Sequence, residues 1–213
     1  MILAVAAACT APPEPTMPEP TIPEVDVSDI VAVFDGLAAA EAYHFEVARE
    51  GPPFPLDVLP GLGASQLEGT FVAPDSLAGS VTGSIGPIAL TVPMIQIADR
   101  IWVENPLAGR WEEFSTAELV DVAGLVATDG VPELVLDDLT DLERGTDGTL
   151  TGTLDTGRIS ERSGGVVGAG NTTATVVATD GSIGIRFVDP VEPEATWVVV
   201  IGPETTPIVV SEP

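Results

Sequence analysis

"TTATVVATDGSIGIRFV", residues 172 to 188, decides the fold. Two runs rich in β-branched residues flank Asp180-Gly181, a dipeptide suited to the left-handed backbone of a two-residue hairpin turn. The same signal stands earlier in "LTDLERGTDGTLTGTLD" (139 to 155), at Asp147-Gly148. "ATWVVVIG" (195 to 202) reads as a last strand, and the tail after Pro203 is expected to fray. Hairpins in series require an antiparallel sheet.

Upstream, Tyr43, Phe45 and Val47 alternate with His44, Glu46 and Ala48, the period of a half-buried strand. A proline-rich apolar loop, "GPPFPLDVLPGLG" (51 to 63), interrupts. Strand-like runs follow at 65–73, 77–85, 88–98 and 100–104, with turns at Asp75 and Gly86-Pro87. Two stretches have helical spacing instead. Over Val27 to Ala42, apolar residues recur at Val27, Ile30, Val31, Phe34, Leu37 and Ala38, and Ser28 or Asp26 can cap the start. "STAELVDVAGLVA" (115 to 127) opens with Ser115 or Thr116 and has Glu118 in its first turn. "VPELVLDDL" (131 to 139) places Pro132 in a first turn. "ISERSGGVVGAGN" (159 to 171) is ambiguous.

The order is one helix, about five strands, two short helices and about four strands. The economical packing is an α+β fold: a continuous antiparallel sheet with its helices gathered on one face. Gly69, Gly79, Gly83 and Gly152 fall on inward positions, so the sheet is expected to leave part of its concavity unfilled. The inward phase supplies candidate walls for such a space: Phe45, Val47, Leu67, Phe71, Val81, Ile85, Leu90, Val92, Ile101 and Val103 from the strands. Phe34, Leu119, Val122 and Leu134 join them from the helices. For each residue, ordinary core packing is the alternative. Trp102 and Trp111 either border a mouth or pack on the outer face.

Seven arginines, no lysine and 33 acidic residues give a net charge of −26 in 213 residues. Such a surface repels phosphate backbones, which argues against nucleic-acid binding. It is also repelled by an anionic bilayer, so membrane attachment needs something other than charge. The acidity itself reads as a solubility device. One cysteine, Cys9, excludes an intrachain disulfide and a multi-cysteine zinc site. Ile2 to Ala8 is apolar and small, too short to span a bilayer, and lacks a basic segment before it. Residues 1–8 therefore read as a truncated signal peptide. Val5-Ala6-Ala7-Ala8 before Cys9 resembles a bacterial lipobox, which makes Cys9 a candidate lipidation site; an A-x-A cleavage with a free thiol is the rival reading. Residues 9–26 then form a linker with the five-residue period PEPTM-PEPTI-PEVDV. In polyproline II form, Cys9 to Glu24 is a tether on the order of 50 Å. The domain proper runs over 27–203 and the tail over 204–213.

The order of elements and several motifs resemble the mycobacterial LppX/LprA/LprF/LprG lipoproteins. The motifs are "FDGLAAAEAYHFEV" (34 to 47), "IADRIWVE" (97 to 104), "RWEEFS" (110 to 115), "STAELV" (115 to 120) and the two hairpins. Trp111 and Phe114 match a tryptophan-x-acidic-phenylalanine pattern, and Trp102 stands where the family often has tyrosine. The insert at 51–63, the proline- and glutamate-rich linker and the extreme charge depart from the family. The resemblance implies a LolA/LolB-like antiparallel half-barrel of about 9–10 strands, wrapped on one side around a few helices and enclosing an apolar cavity. It implies a monomeric, membrane-anchored binder of acylated lipids or lipoglycans. Such a protein would face the periplasm or extracellular side and assist lipid transport across the cell envelope. A scaffold lipoprotein with a filled pocket is the alternative.

The residues point to no catalysis, cofactor or metal. His44 falls on the polar phase of its strand. No G-x-S-x-G, H-E-x-x-H or G-x-x-x-x-G-K-[ST] occurs. "GVVGAGN" (165 to 171) lacks dinucleotide spacing. Asp137, Asp138 and Asp141 lack EF-hand spacing. Asn171-Thr172-Thr173 is a glycosylation sequon by pattern only and reads as a turn.

Overall fold

The computed structural model describes residues 25–55, 61–106, 108–206 and 208–213. Helix α1 (Ser28–Ala38) leads into β1 (Ala42–Glu50). A two-residue β2 (Phe54–Pro55) precedes the meander β3 (Gly63–Val72), β4 (Ser76–Ile85), β5 (Ile88–Ile97), β6 (Arg100–Asn105) and β7 (Arg110–Ser115). Helices α2 (Val122–Val126) and α3 (Val131–Asp138) follow. Then come β8 (Leu139–Arg144), β9 (Leu150–Asp155), α4 (Gly157–Arg162), β10 (Asn171–Thr179), β11 (Ser182–Val188) and β12 (Thr196–Pro203).

The spatial order is β7-β6-β5-β4-β3-β1-β12-β11-β10-β9-β8, with β2 paired to β3. Two meanders thus meet at β1, which pairs antiparallel with β3 on one side and β12 on the other. The chain leaves the β7 edge through α2 and α3 and re-enters at the β8 edge. Both expected hairpins form, with Asp180, Gly181 and Gly148 at positive φ. The sheet is larger than the expected 9–10 strands because "RWEEFS" forms an edge strand and Phe54–Pro55 adds a short one. Two of the three helices read from the sequence are shorter than expected. α1 ends at Ala38, and Asp26 accepts from the Ser28 N–H at 3.0 Å. Ser115 and Glu118 do bond to one another, but the chain continues as a turn to Asp121, which caps α2 through the Gly124 N–H at 2.9 Å.

Register puts nearly all large apolar side chains on the concave face. Tyr43, Phe45 and Val47 oppose Phe71, Gly69 and Leu67 on β3, and Ile201 and Val199 on β12. Gly69 and Gly79 face one another across β3 and β4. A Cβ on Gly69 would lie 2.4 Å from the Ala78 carbonyl oxygen; one on Gly79, 2.3 Å from that of Glu68; one on Gly83, 2.3 Å from that of Gly63. These glycines do not empty the concavity, contrary to the reading of the sequence. They let neighbouring strands approach closely where the sheet curls. Gly152 does the same against the Thr140 carbonyl oxygen, 2.6 Å from its would-be Cβ.

Two polar contacts fix α2 over the curled sheet. Gln96, on the concave face of β5 and 1% exposed, donates to Asp121 at 2.7 Å and accepts from the Ala123 N–H at 3.0 Å. The Tyr43 hydroxyl donates to the Val126 carbonyl at 2.9 Å. Burial, and then the charge of Asp129, push the Tyr43 hydroxyl well above its ordinary pKa, so it remains a donor at neutral and moderately alkaline pH. α1 covers β10 and β11 on the other half of the sheet, and Arg144 ties it down through Asp29 and the Asp26 carbonyl. The segment after Pro203 also touches the sheet: Glu204 accepts from the Thr70 hydroxyl at 2.8 Å, and Glu212 pairs with Arg100.

Substitution of Gly79 by alanine is expected to cost about 2–3 kcal/mol through backbone displacement. Gly36→Ala, in α1 with nothing within 4 Å of the added methyl, should stabilise by about 0.5–1 kcal/mol. Tyr43→Phe, which leaves the Val126 carbonyl without its donor, should cost about 1–2 kcal/mol. Urea denaturation of the three variants checks these values.

Candidate functional site

Between the curled half of the sheet and helices α2 and α4 lies a cavity of about 220 Å³. Its floor is a cross-strand row, Val199–Val47–Leu67–Val81, running over β12, β1, β3 and β4. Met94 and Ile101 extend the floor along β5 and β6. The roof comes from Val122, Leu125 and Val126 of α2, Val131 of α3, and Ile159 of α4 with Ser163, Val166 and Val167 after it. Val47 and Leu67 sit in the middle of the concave face, yet both keep accessible surface. Hence the gap: α2 and α4 are 5 and 6 residues long, and the sheet beneath them curls away.

The opening lies between residues 118–120 and 163–166. Glu118 and Gly164 are exposed there, and Leu119, Val120 and Val166 partly so. Among the described residues, Glu118 is the one ionisable side chain of the lining. Ser115 donates to it from its backbone N–H at 3.0 Å and its hydroxyl at 2.9 Å, and these bonds hold its carboxyl below the usual carboxylate range. The roof is braced from outside. Arg162 donates to the Gly124 carbonyl at 3.1 Å, and Arg158 pairs with Asp138 at 3.0 Å and Asp137 at 3.4 Å.

The far end is closed by Trp197. Phe54 packs on its ring with centroids 5.3 Å apart, and the Arg49 guanidinium lies 5.2 Å from the ring centre. The indole N–H donates to Asp189 at 2.9 Å. Asp189 also accepts backbone N–H groups of Val191, Glu192 and Gly168 at 2.9, 3.1 and 3.3 Å. Burial pushes its carboxyl up, but the bonds from Trp197 and this backbone outweigh it and hold the group below the usual range. Arg49, on the inward phase of β1, pairs with Glu192 at 2.7 Å and lies 3.7 Å from Asp189. This buried polar cluster, which sequence reasoning missed, sets the tilt of Trp197 at the cavity end.

Of the residues singled out in the sequence, the structure brings Val47, Leu67, Val81, Ile101, Leu119 and Val122 together around the cavity. Phe45, Phe71, Val92, Val103 and Leu134 are buried in packed core, Phe71 stacked on Tyr43 with centroids 4.9 Å apart. Phe34, Ile85 and Leu90 lie partly buried at the margin of that core. Cys9 lies outside the described residues. Trp102 is on the convex face, opposite Ile95 and Glu113, with the Arg100 guanidinium 4.4 Å from its ring; Trp111, opposite Glu104, shares that face. Neither borders the mouth. Phe187, Trp197 and Val199 were legible from the alternation of β11 and β12. The α4 contribution was not, because it comes from the ambiguous glycine-rich stretch.

No helix among the described residues is long and apolar enough to cross a membrane, and no group of three or more His, Cys, Asp or Glu among them is placed to hold a metal ion. No protein-family model and no curated protein matches the chain. Solved structures do. LprF from Mycobacterium bovis is 11% identical, with 87% of this chain and 95% of that chain covered and a TM-score of 0.62. The Mycobacterium tuberculosis lipoprotein LppX is 19% identical, with 86% and 96% covered and a TM-score of 0.56. The curled antiparallel sheet with its helices on the concave side is thus the fold of LppX and LprF, and this chain shares it.

Proposed function

We propose that the protein is a membrane-anchored lipoprotein that shelters acyl chains in the cavity beneath α2 and α4 and assists their movement across the cell envelope. The observation that carries this reading is the lining. In a chain of net charge −26, Glu118 is the one charged side chain that the described residues place in a cavity whose walls come from eight strands and three helices. Sheltering acyl chain from water is worth about 0.8 kcal/mol per methylene, so concave apolar walls suffice and no catalytic group is needed. The likeness to LppX, a lipoprotein, supports the same reading.

Size sets the stoichiometry of the resting state. A cavity of about 150 Å³ takes a benzene ring, and pockets for drug-sized ligands begin near 300 Å³. At about 220 Å³ the cavity takes part of one acyl chain. A ligand with several chains enters only as α2 and α4 lift from β4, β5 and β6. In this reading Cys9 carries the lipid anchor, and the proline- and glutamate-rich linker keeps the mouth near the donor membrane. The cavity also favours this reading over a scaffold with a filled pocket.

Native mass spectrometry of protein incubated with lipid vesicles should show one added acyl lipid per chain; protein that emerges without lipid would contradict the reading. Val81→Phe, which fills the cavity, should reduce bound lipid about tenfold while changing stability by less than about 1 kcal/mol. Val92→Phe, its cross-strand neighbour in packed core, should instead cost about 1–3 kcal/mol through overpacking. Equal stability losses at the two sites would mean that the cavity is not open space.

A further inference from the structure

We propose that the cavity takes acyl lipids with uncharged, hydroxyl-bearing headgroups and discriminates against anionic ones, an inference that rests on the acyl-lipid reading above. The chain has no lysine, and its seven arginines all lie among the described residues. Six are held by the protein's own carboxylates: Arg49 by Glu192 and Asp189, Arg100 by Glu113 and Glu212, Arg110 by Glu112, Arg144 by Asp29, Arg158 by Asp137 and Asp138, and Arg186 by Glu50. None of these lines the cavity.

The seventh, Arg162, precedes the lining residue Ser163, but its side chain turns the other way. It donates to the Gly124 carbonyl and lines a separate polar hollow together with Asp75, Asp99, Asp121 and Asp129. An anionic headgroup at the mouth would therefore meet Glu118 and no free cation. Like charges within several ångströms of a low-dielectric wall repel far more strongly than in bulk water. A sugar or glycerol hydroxyl meets the opposite situation. Ser115 engages Oε2 of Glu118, and among the described residues no donor engages Oε1, which can accept a hydrogen bond.

The test uses Trp197, which lines the cavity, as the reporter in a Trp102→Phe, Trp111→Phe background. Three lipids with identical brominated acyl chains are titrated: a diacylglycerol, a monoglycosyl diacylglycerol and a phosphatidylglycerol. The uncharged pair should quench Trp197 at about tenfold lower concentration than the phosphatidylglycerol. Glu118→Arg should abolish that difference, and Glu68→Arg, the same charge change on the convex face, should leave it intact. Phosphatidylglycerol quenching as well as the uncharged lipids would overturn the inference and leave the acyl-lipid reading standing. Its loss in Arg162→Gln would then identify the cation that had been overlooked. Quenching by none of the three would bring down the acyl-lipid reading and this inference with it.

Discussion

A twelve-stranded sheet with one apolar face must cover that face, and the described residues supply helices of only 11, 5, 8 and 6 residues to do so. The longest, α1, sits over β10 and β11. The curled half over β1, β3, β4, β5 and β6 is left to two helices of barely a turn and a half each. Those helices are held at a distance rather than drawn in. Gln96 and Asp121 fix the start of α2, Tyr43 fixes its end, and Arg162 bridges α4 to it. Each contact satisfies a buried or roof-facing polar group, so α2 cannot settle onto Val81 and Ile101 without leaving one unpaired. The cavity follows from that mismatch between sheet and cover.

Charge works in the same direction. With 33 acidic residues against seven arginines, every cation has carboxylates close by, and the chain uses six of them in ion pairs that tie edges, helices and the last segment to the sheet. Most of these pairs are exposed and worth little each. Arg49 differs, because its side chain is 4% exposed and it buttresses Trp197 from behind. The remaining carboxylates leave the surface strongly anionic.

The legible parts of this fold were those fixed by neighbouring residues. Gly148, Asp180 and Gly181 take up the positive φ that an Asp-Gly turn favours, so both hairpins could be read from the dipeptides alone. Alternation gave the inward face of β1, β3, β4 and β5. β7 was not read as a strand because it is an edge, with acidic residues on both faces at Glu112 and Glu113. The start of α2 was misplaced because Ser115 and Glu118 make the bond of a capping box without a helix following it. The cavity was legible only by face. Val81 and Val92 are cross-strand partners on one concave surface, yet only Val81 adjoins the gap. That distinction depends on where α2 and α4 rest, and their position is set by Gln96 and Tyr43, long-range contacts that no local pattern announces.

The central claim is that space between sheet and roof is apolar and unfilled by the protein's own side chains. Xenon enters dry apolar cavities of this size. A crystal pressurised with xenon tests the claim without any assumption about the natural ligand. The account expects xenon density bounded by Val81, Ile101, Val126 and Ile159; side chains packed through that volume, with no xenon in it, would contradict it.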